Sequence, residues 1–103
     1  MRYSCGDIIL IQMQFADTLE VKLRPAVVLY QQFDNLVVAG ITSNTRMKGV
    51  TVPKGVLAKE SVIKLNYVFT FSSSLVKKHL GQLSQSTWSS LRKEFMKLIS
   101  QNI

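Results

Sequence analysis

Lys22-Leu23-Arg24-Pro25-Ala26-Val27-Val28-Leu29 is the stretch that decides how this chain folds. An Arg-Pro step stands at the mouth of an unbroken apolar run. Proline has no N–H for a strand ladder and its φ is fixed, so Pro25 is expected to be the first residue of a buried strand. Arg24 is then held at the strand's entrance. A second apolar run follows and ends in Ile41-Thr42-Ser43-Asn44. Gln31 to Asn35 reads as a short polar turn, so a hairpin would bring the two outer ends to one edge. A fixed guanidinium beside fixed hydroxyls is a ready phosphate site.

Further strands are read on either side of this hairpin. Residues 8–12 form one, and residues 13–23 form a polar loop too long for a tight hairpin. Ordered loops of that length in small proteins often carry function. Residues 25–31 and 36–42 are the two Val- and Ile-rich strands, with Asp34-Asn35 as turn residues. Val50-Thr51-Val52 is a short strand ended by Pro53-Lys54-Gly55. Ser61 to Leu65 alternates as another, and Leu75 to Leu83 is the last, with Gly81 at a bulge. The period then changes: Trp88, Leu91, Phe95, Leu98 and Ile99 recur at helical spacing as one apolar stripe. Ser84 is placed as its N-cap. The expected fold is mainly β, an antiparallel barrel with a C-terminal α-helix packed on it.

At 103 residues the chain has the length of one domain, here 1–103. Its formal charge is +7. Residues 1–51 carry five Lys or Arg against four Asp or Glu, a net of +1, and residues 52–103 carry eight against two, a net of +6. Such a balance suits a phosphate polymer or an acidic protein partner, and equally a solvated surface. Cys5 is the only cysteine, so no internal disulfide forms. It reads as a small buried hydrophobe. Ile8 to Ile11 is far short of the roughly 18 apolar residues of a membrane span, no signal peptide is read, and a cytoplasmic location is expected. No Cys/His cluster has metal-ligand spacing, so neither a metal nor a cofactor is expected.

The ordered set Gly6-Asp7, Lys22 to Leu29, Val37 to Asn44, Ser61 to Leu65, Phe69-Thr70 and Leu80-Gly81-Gln82-Leu83-Ser84 resembles the MazF/PemK family of toxin endoribonucleases. These pieces occur in family order and span nearly the whole chain. The resemblance implies an SH3-like β-barrel, the PemK/CcdB-like plasmid-maintenance toxin fold. It implies a sequence-selective, metal-independent endoribonuclease acting on single-stranded RNA, as the toxin of a toxin–antitoxin pair. It also implies a homodimer and an acidic antitoxin whose disordered tail occupies the RNA groove. Arg24 and Thr42 fall on the family's catalytic arginine and threonine.

That chemistry needs no protein nucleophile. The RNA 2′-OH attacks the adjacent phosphorus, and the protein orients it and stabilises charge on the phosphorane oxygens. Arg24 would grip two phosphate oxygens, and Thr42 and Ser43 would donate hydroxyl hydrogen bonds. The bland alternative pairs Arg24 with Asp17 or Glu20. The basic loop Asn44-Thr45-Arg46-Met47-Lys48-Gly49 follows the site, and Asn44, Arg46, Lys48 and Lys22 are expected to bind RNA. Phe15 and Tyr67 would supply stacking surfaces.

The chain departs from the family in three places. The first loop has Thr18 where some members carry His. Lys64 stands for an arginine on a later strand, and Asn66 for an aspartate. Asparagine exchanges no proton, which concentrates catalysis on Arg24 and Thr42, with Lys64 and Asn66 in supporting contact with RNA. His79 is the only histidine and reads as a surface or barrel-wall residue away from Arg24. Two alternatives stay open: a catalytically decayed nucleic-acid- or protein-binding module on the same barrel, and a gyrase-inhibiting toxin. The latter relatives depend on a terminal Trp-Gly-Ile, whereas this chain ends Gln101-Asn102-Ile103.

Overall fold

Neighbouring residues of a strand point to opposite faces, so an unbroken apolar run such as Ala26 to Leu29 demands cover on both sides of its sheet. The computed structural model, which describes residues 2–14 and 21–101 and every side chain in them except those of Met13 and Gln14, meets that demand with two cores. Six strands form one sheet: β1 (Asp7–Gln14), β2 (Val21–Gln32), β3 (Asn35–Thr42), β4 (Val50–Val52), β5 (Ser61–Ser72) and β6 (Val76–Gln82). Their order is β4-β5-β3-β2-β1-β6, with antiparallel pairing throughout. A 3₁₀ turn at Ser73–Leu75 joins β5 to β6, and helix α1 (Gln85–Ser100) closes the described chain.

The first core holds Ile8, Val27, Leu29, Ala39, Ile41 and Ile63 under α1, which contributes the buried Leu91 and the half-buried Trp88 and Phe95. The second core holds Ile9, Ile11, Ala26, Val28, Leu36 and Val38, flanked by Tyr3, Phe69, Phe71 and Val76. Sequence neighbours Ile8/Ile9, Val27/Val28 and Val38/Ala39 divide between the two, as a period of two requires. Fully burying each such Val or Ile is worth roughly 1.5–3 kcal/mol.

Several element boundaries need correction, while the fold is the expected one, a C-terminal helix with a mainly β antiparallel sheet curled into a half-barrel. Its ends, β4 and β6, lie at opposite edges of the strand order. Pro25 is not the first residue of its strand: β2 begins at Val21, and Pro25 pairs with Leu10 of β1. It stands just beyond Ala26, the last β2 residue paired with β3, where a missing N–H costs that ladder nothing. Strand β5 runs to Ser72 rather than Leu65, carrying a three-residue bulge at Leu65–Tyr67 beyond which Phe69-Thr70-Phe71-Ser72 alternates. Strand β6 starts one residue later than expected, and one of its two irregularities falls beside Gly81, with Ile8 paired to Gly81 and Ile9 to His79.

Ser84 caps α1 by accepting the Thr87 N–H at 3.2 Å. Leu98 and Ile99, placed on the apolar stripe by their spacing, are largely exposed, because the helix runs past the core in its last turns. Cys5 is exposed rather than buried. It lies in the turn before β1, where Gly6 takes a φ of +88°. No helix among the described residues is long and apolar enough to cross a membrane.

Gly49 joins the basic loop to β4 in close contact with β5. A Cβ there would run into the Ile63 carbonyl oxygen and stand 2.7 Å from Val62 Cγ1. Backbone and a buried valine have nowhere to retreat. Gly49→Ala is therefore expected to lower stability by about 1–3 kcal/mol, the usual cost of overpacking, as read from a urea midpoint. An unchanged midpoint would mean the loop is free to lift away.

Candidate functional site

The hairpin β2–β3 sets the site. Its ladder runs as far as Ala26 facing Gly40, and two residues further along each strand stand Arg24 and Thr42. Arg24 faces Ile11 of β1, a residue of the second core, and Ala26 belongs to the same core. Alternation then sends Arg24 and Thr42 out on that face of the sheet, away from α1. On the other side of β3, Gly40 faces Lys64 and Thr42 faces Val62. Lys22, two residues before Arg24, faces Met13 and continues the cationic row. Residues two apart on a strand are about 7 Å apart and neighbouring strands about 5 Å, so Arg24, Thr42 and Lys64 lie within about two nucleotides of each other, with Lys22 one step further along β2.

Thr42 is half-buried and Arg24 exposed. The Asn44 N–H donates to Thr42 Oγ1 at 3.1 Å, and the Arg46 N–H donates to Asn44 Oδ1 at 3.1 Å. The Met47 N–H reaches the Asn44 carbonyl at 3.1 Å. Two side-chain turns thus fold the basic loop on the end of β3. Because Thr42 Oγ1 accepts in this turn, its own hydroxyl hydrogen is left to donate to a bound group. Ser43 lies past the last paired residue of β3, and Ser43, Asn44, Arg46 and Lys48 are all exposed.

A second feature adjoins this edge. Lys48, Lys64 and Asn66 line a cleft of about 490 Å³ together with Met47, Gly49, Leu65 and the helix residues Glu94 and Leu98. The structure therefore splits the expected site residues in two. Lys22, Arg24 and Thr42 occupy the strand face, Lys48 and Asn66 occupy the cleft, and Lys64 reaches both. Arg46, exposed on the same loop, does not line the cleft. Glu94 and Leu98 escaped the sequence reading because only the docking of α1 brings them to the loop. Phe15, Asp17, Thr18 and Glu20 lie outside the described residues.

His79 belongs elsewhere. Its Nε2 stands 3.4 Å from Asp7 Oδ1. Asp7 also accepts from the Ser4 N–H at 2.8 Å and from Gln82 Nε2 at 3.1 Å. The Gly6-Asp7 pair of the sequence is thus a clasp between the start of β1 and β6. Among the described residues, no three His, Cys, Asp or Glu side chains are grouped to hold a metal ion.

No curated protein sequence matches the chain significantly. Among solved structures, the chain is similar to the crystal structure of MazE-MazF (Form-II) from Deinococcus radiodurans, with a TM-score of 0.82, 14% identity and 99% of each chain covered. The Form-III crystal structure of the same pair gives a TM-score of 0.77 at 16% identity over 96% of this chain and 97% of the other. The Mycobacterium tuberculosis toxin MazF-mt6 gives 0.68 at 20% identity over 88% and 95%. At these identities the structures speak for the fold. The family itself follows from a sequence model that matches residues 4–99, so the chain belongs to the PemK-like, MazF-like toxins of type II toxin–antitoxin systems.

Proposed function

We propose that this protein is a sequence-selective endoribonuclease that cuts single-stranded RNA without a metal, as the toxin of its pair. The observation that carries the reading is the placement of Arg24 and Thr42 on adjacent strands, facing out on one side of the sheet. In the step, the O2′–P bond forms and the P–O5′ bond breaks. The 2′-OH loses its proton and the departing 5′ oxygen gains one, leaving a 2′,3′-cyclic phosphate and a 5′-OH. A guanidinium is permanently charged and offers two parallel N–H donors, so Arg24 stabilises the two non-bridging oxygens as charge builds on them. Thr42 donates its hydroxyl hydrogen to the same group. Lys22, Lys64, Arg46 and Lys48 neutralise flanking phosphates, and Ser43, Asn44 and Asn66 supply polar contacts to RNA.

The same reading gives the protein a second copy of itself, an acidic antitoxin and a cytoplasmic place of action. The net charge of +7 supports an acidic partner through complementary steering. The matched MazE-MazF structures support an antitoxin. Exposed Met96, Leu98 and Ile99 on α1 supply apolar surface suited to a second copy.

The test is incubation of the purified, antitoxin-free protein with a long unstructured RNA in EDTA, with product ends mapped. Discrete cuts ending in 2′,3′-cyclic phosphate are expected. Intact RNA with folded protein would leave a binding module on this fold. Thr42→Val removes a hydrogen bond to a charged group and should slow cleavage by about 10- to 100-fold, whereas Thr42→Ser should stay within a few-fold of wild type. Equal rates for Val and Ser would remove Thr42 from the reaction.

A further inference from the structure

Strand β5 does not run evenly past β3. Ala39 pairs with Val68, yet the next residue, Gly40, pairs with Lys64, so Leu65, Asn66 and Tyr67 stand out of the ladder. A bulge re-aims the side chains it carries. Tyr67 is carried over Gly40: a Cβ on that glycine would stand 3.7 Å from Tyr67 Cβ. The ring meets Phe69 at 6.0 Å with the planes tilted by 50°, and Phe69 in turn meets Phe71 at 5.9 Å. Phe69 and Phe71 pack on the second core. The row of rings is therefore anchored at one end, while Tyr67 at the other end is 47% exposed. Above it sits the Lys64 ammonium, 3.5 Å from the ring centroid.

From this arrangement we infer that Tyr67 is a stacking platform for one base of single-stranded RNA, next to the phosphate held by Arg24 and Thr42, and that Lys64 covers the ring until RNA arrives. The inference rests on the RNA-cleaving reading and names a base subsite for it. Gly40 lies two residues before Thr42 on the same face, about 7 Å along the strand, which is the reach from a nucleotide's phosphate to its own base. An exposed ring fixed by a neighbouring ring is preorganised for stacking and loses little freedom on binding. The cover is weak, because a lysine over an exposed ring is held only by the ring quadrupole. An RNA phosphate offers that ammonium a full opposite charge. Binding then moves Lys64 from ring to phosphate and opens the ring to the base in one exchange.

The test uses short RNAs built on the mapped cut site, with a 2′-deoxy nucleotide at the attacking position so that they bind without being cut. A single abasic nucleotide is walked along them. Wild-type protein should lose about 10- to 100-fold in affinity at one position beside the scissile phosphate, the usual worth of one base–aromatic stack. Tyr67→Leu, which keeps apolar bulk over Gly40, should lose a similar factor on the intact RNA and become indifferent to that abasic position. Tyr67→Phe should behave as wild type. Lys64→Met should lower the slope of log affinity against log salt by about 0.7, one phosphate contact on a single strand. Equal affinities for Tyr67→Leu and wild type, or an unchanged abasic profile in Tyr67→Leu, would overturn the platform. An unchanged salt slope in Lys64→Met would overturn the exchange. If cleavage persists while the platform fails, the nuclease reading stands alone. If no RNA is cut, the walk is made on a blocked oligonucleotide of the unstructured RNA, and the same comparison decides the platform by itself.

Discussion

Arg24→Ala is expected to lower the rate of RNA cleavage by about 10²–10³-fold, the usual effect of removing one donor aimed at transition-state charge. In the proposed mechanism the phosphorane meets one guanidinium, from Arg24 on β2, and one hydroxyl, from Thr42. Of the two, only the guanidinium brings a full charge and a two-pronged grip. The fall should appear mainly in kcat, because charge on the non-bridging oxygens grows only as the fifth bond forms. KM should rise less, since Lys22, Lys64 and the basic loop still hold the RNA. Arg24 is exposed, so the variant should melt close to wild type. Arg24→Lys keeps the charge and loses the fork, and its rate should fall between the two. Single-turnover cleavage in EDTA, beside a thermal melt, measures all of this. Turnover in Arg24→Ala equal to wild type would remove Arg24 from the chemistry and with it the proposed mechanism.

Leu91→Ala should be the most damaging single truncation in the helix, at about 2–5 kcal/mol. Leu91 is 2% exposed, and it is the one buried residue of α1. It fills the first core beside strands β1 to β5, while Trp88 and Phe95 only lean on its margin. A stability of roughly 5–15 kcal/mol is usual for a protein of this kind, so the loss removes a large share of the total. A urea midpoint shift at unchanged slope would report it. A loss below about 1 kcal/mol would mean that Trp88 and Phe95 dock the helix unaided. Because Glu94 and Leu98 line the cleft on the same helix, a loosened α1 should also weaken RNA binding through Lys48 and Asn66.

Much of the fold was legible in local patterns. The unbroken runs at Ile8–Ile11 and Ala26–Leu29 announced strands buried on both faces. Ser84 announced a helix start, and the 3.6-residue spacing of Trp88, Leu91 and Phe95 named the docked face. Local patterns failed where a strand's rules are broken by its neighbours. The apolar alternation of β5 continues through Phe69-Thr70-Phe71-Ser72. Yet the bulge at Leu65–Tyr67 moves its odd-numbered side chains from the first core, with Ile63 and Leu65, to the second, with Phe69 and Phe71, a change of face that no local pattern shows. Leu98 and Ile99 keep helical spacing, yet the core ends before them.

The candidate site divides in the same way. That Arg24 and Thr42 stand at one edge was legible in the sequence because each bounds an apolar run and one short turn joins the two runs. Hairpin register is a local property and follows from turn length. His79 could be read as distant from them, but its clasp with Asp7 required β1 and β6 to meet. Neither the cleft between the basic loop and α1 nor the Tyr67 ring over Gly40 is encoded at short range. The cleft joins Lys48 to Glu94, and the ring is placed by a shift in register between strands far apart in sequence. By itself, then, the sequence determined the strands, the helix and the Arg24–Thr42 edge, because periodicity and turn chemistry act over a few residues. Tertiary structure alone decided the change of face within β5, the cleft and the placement of Tyr67, because these depend on how long-range pairing and packing share out the limited space of two cores.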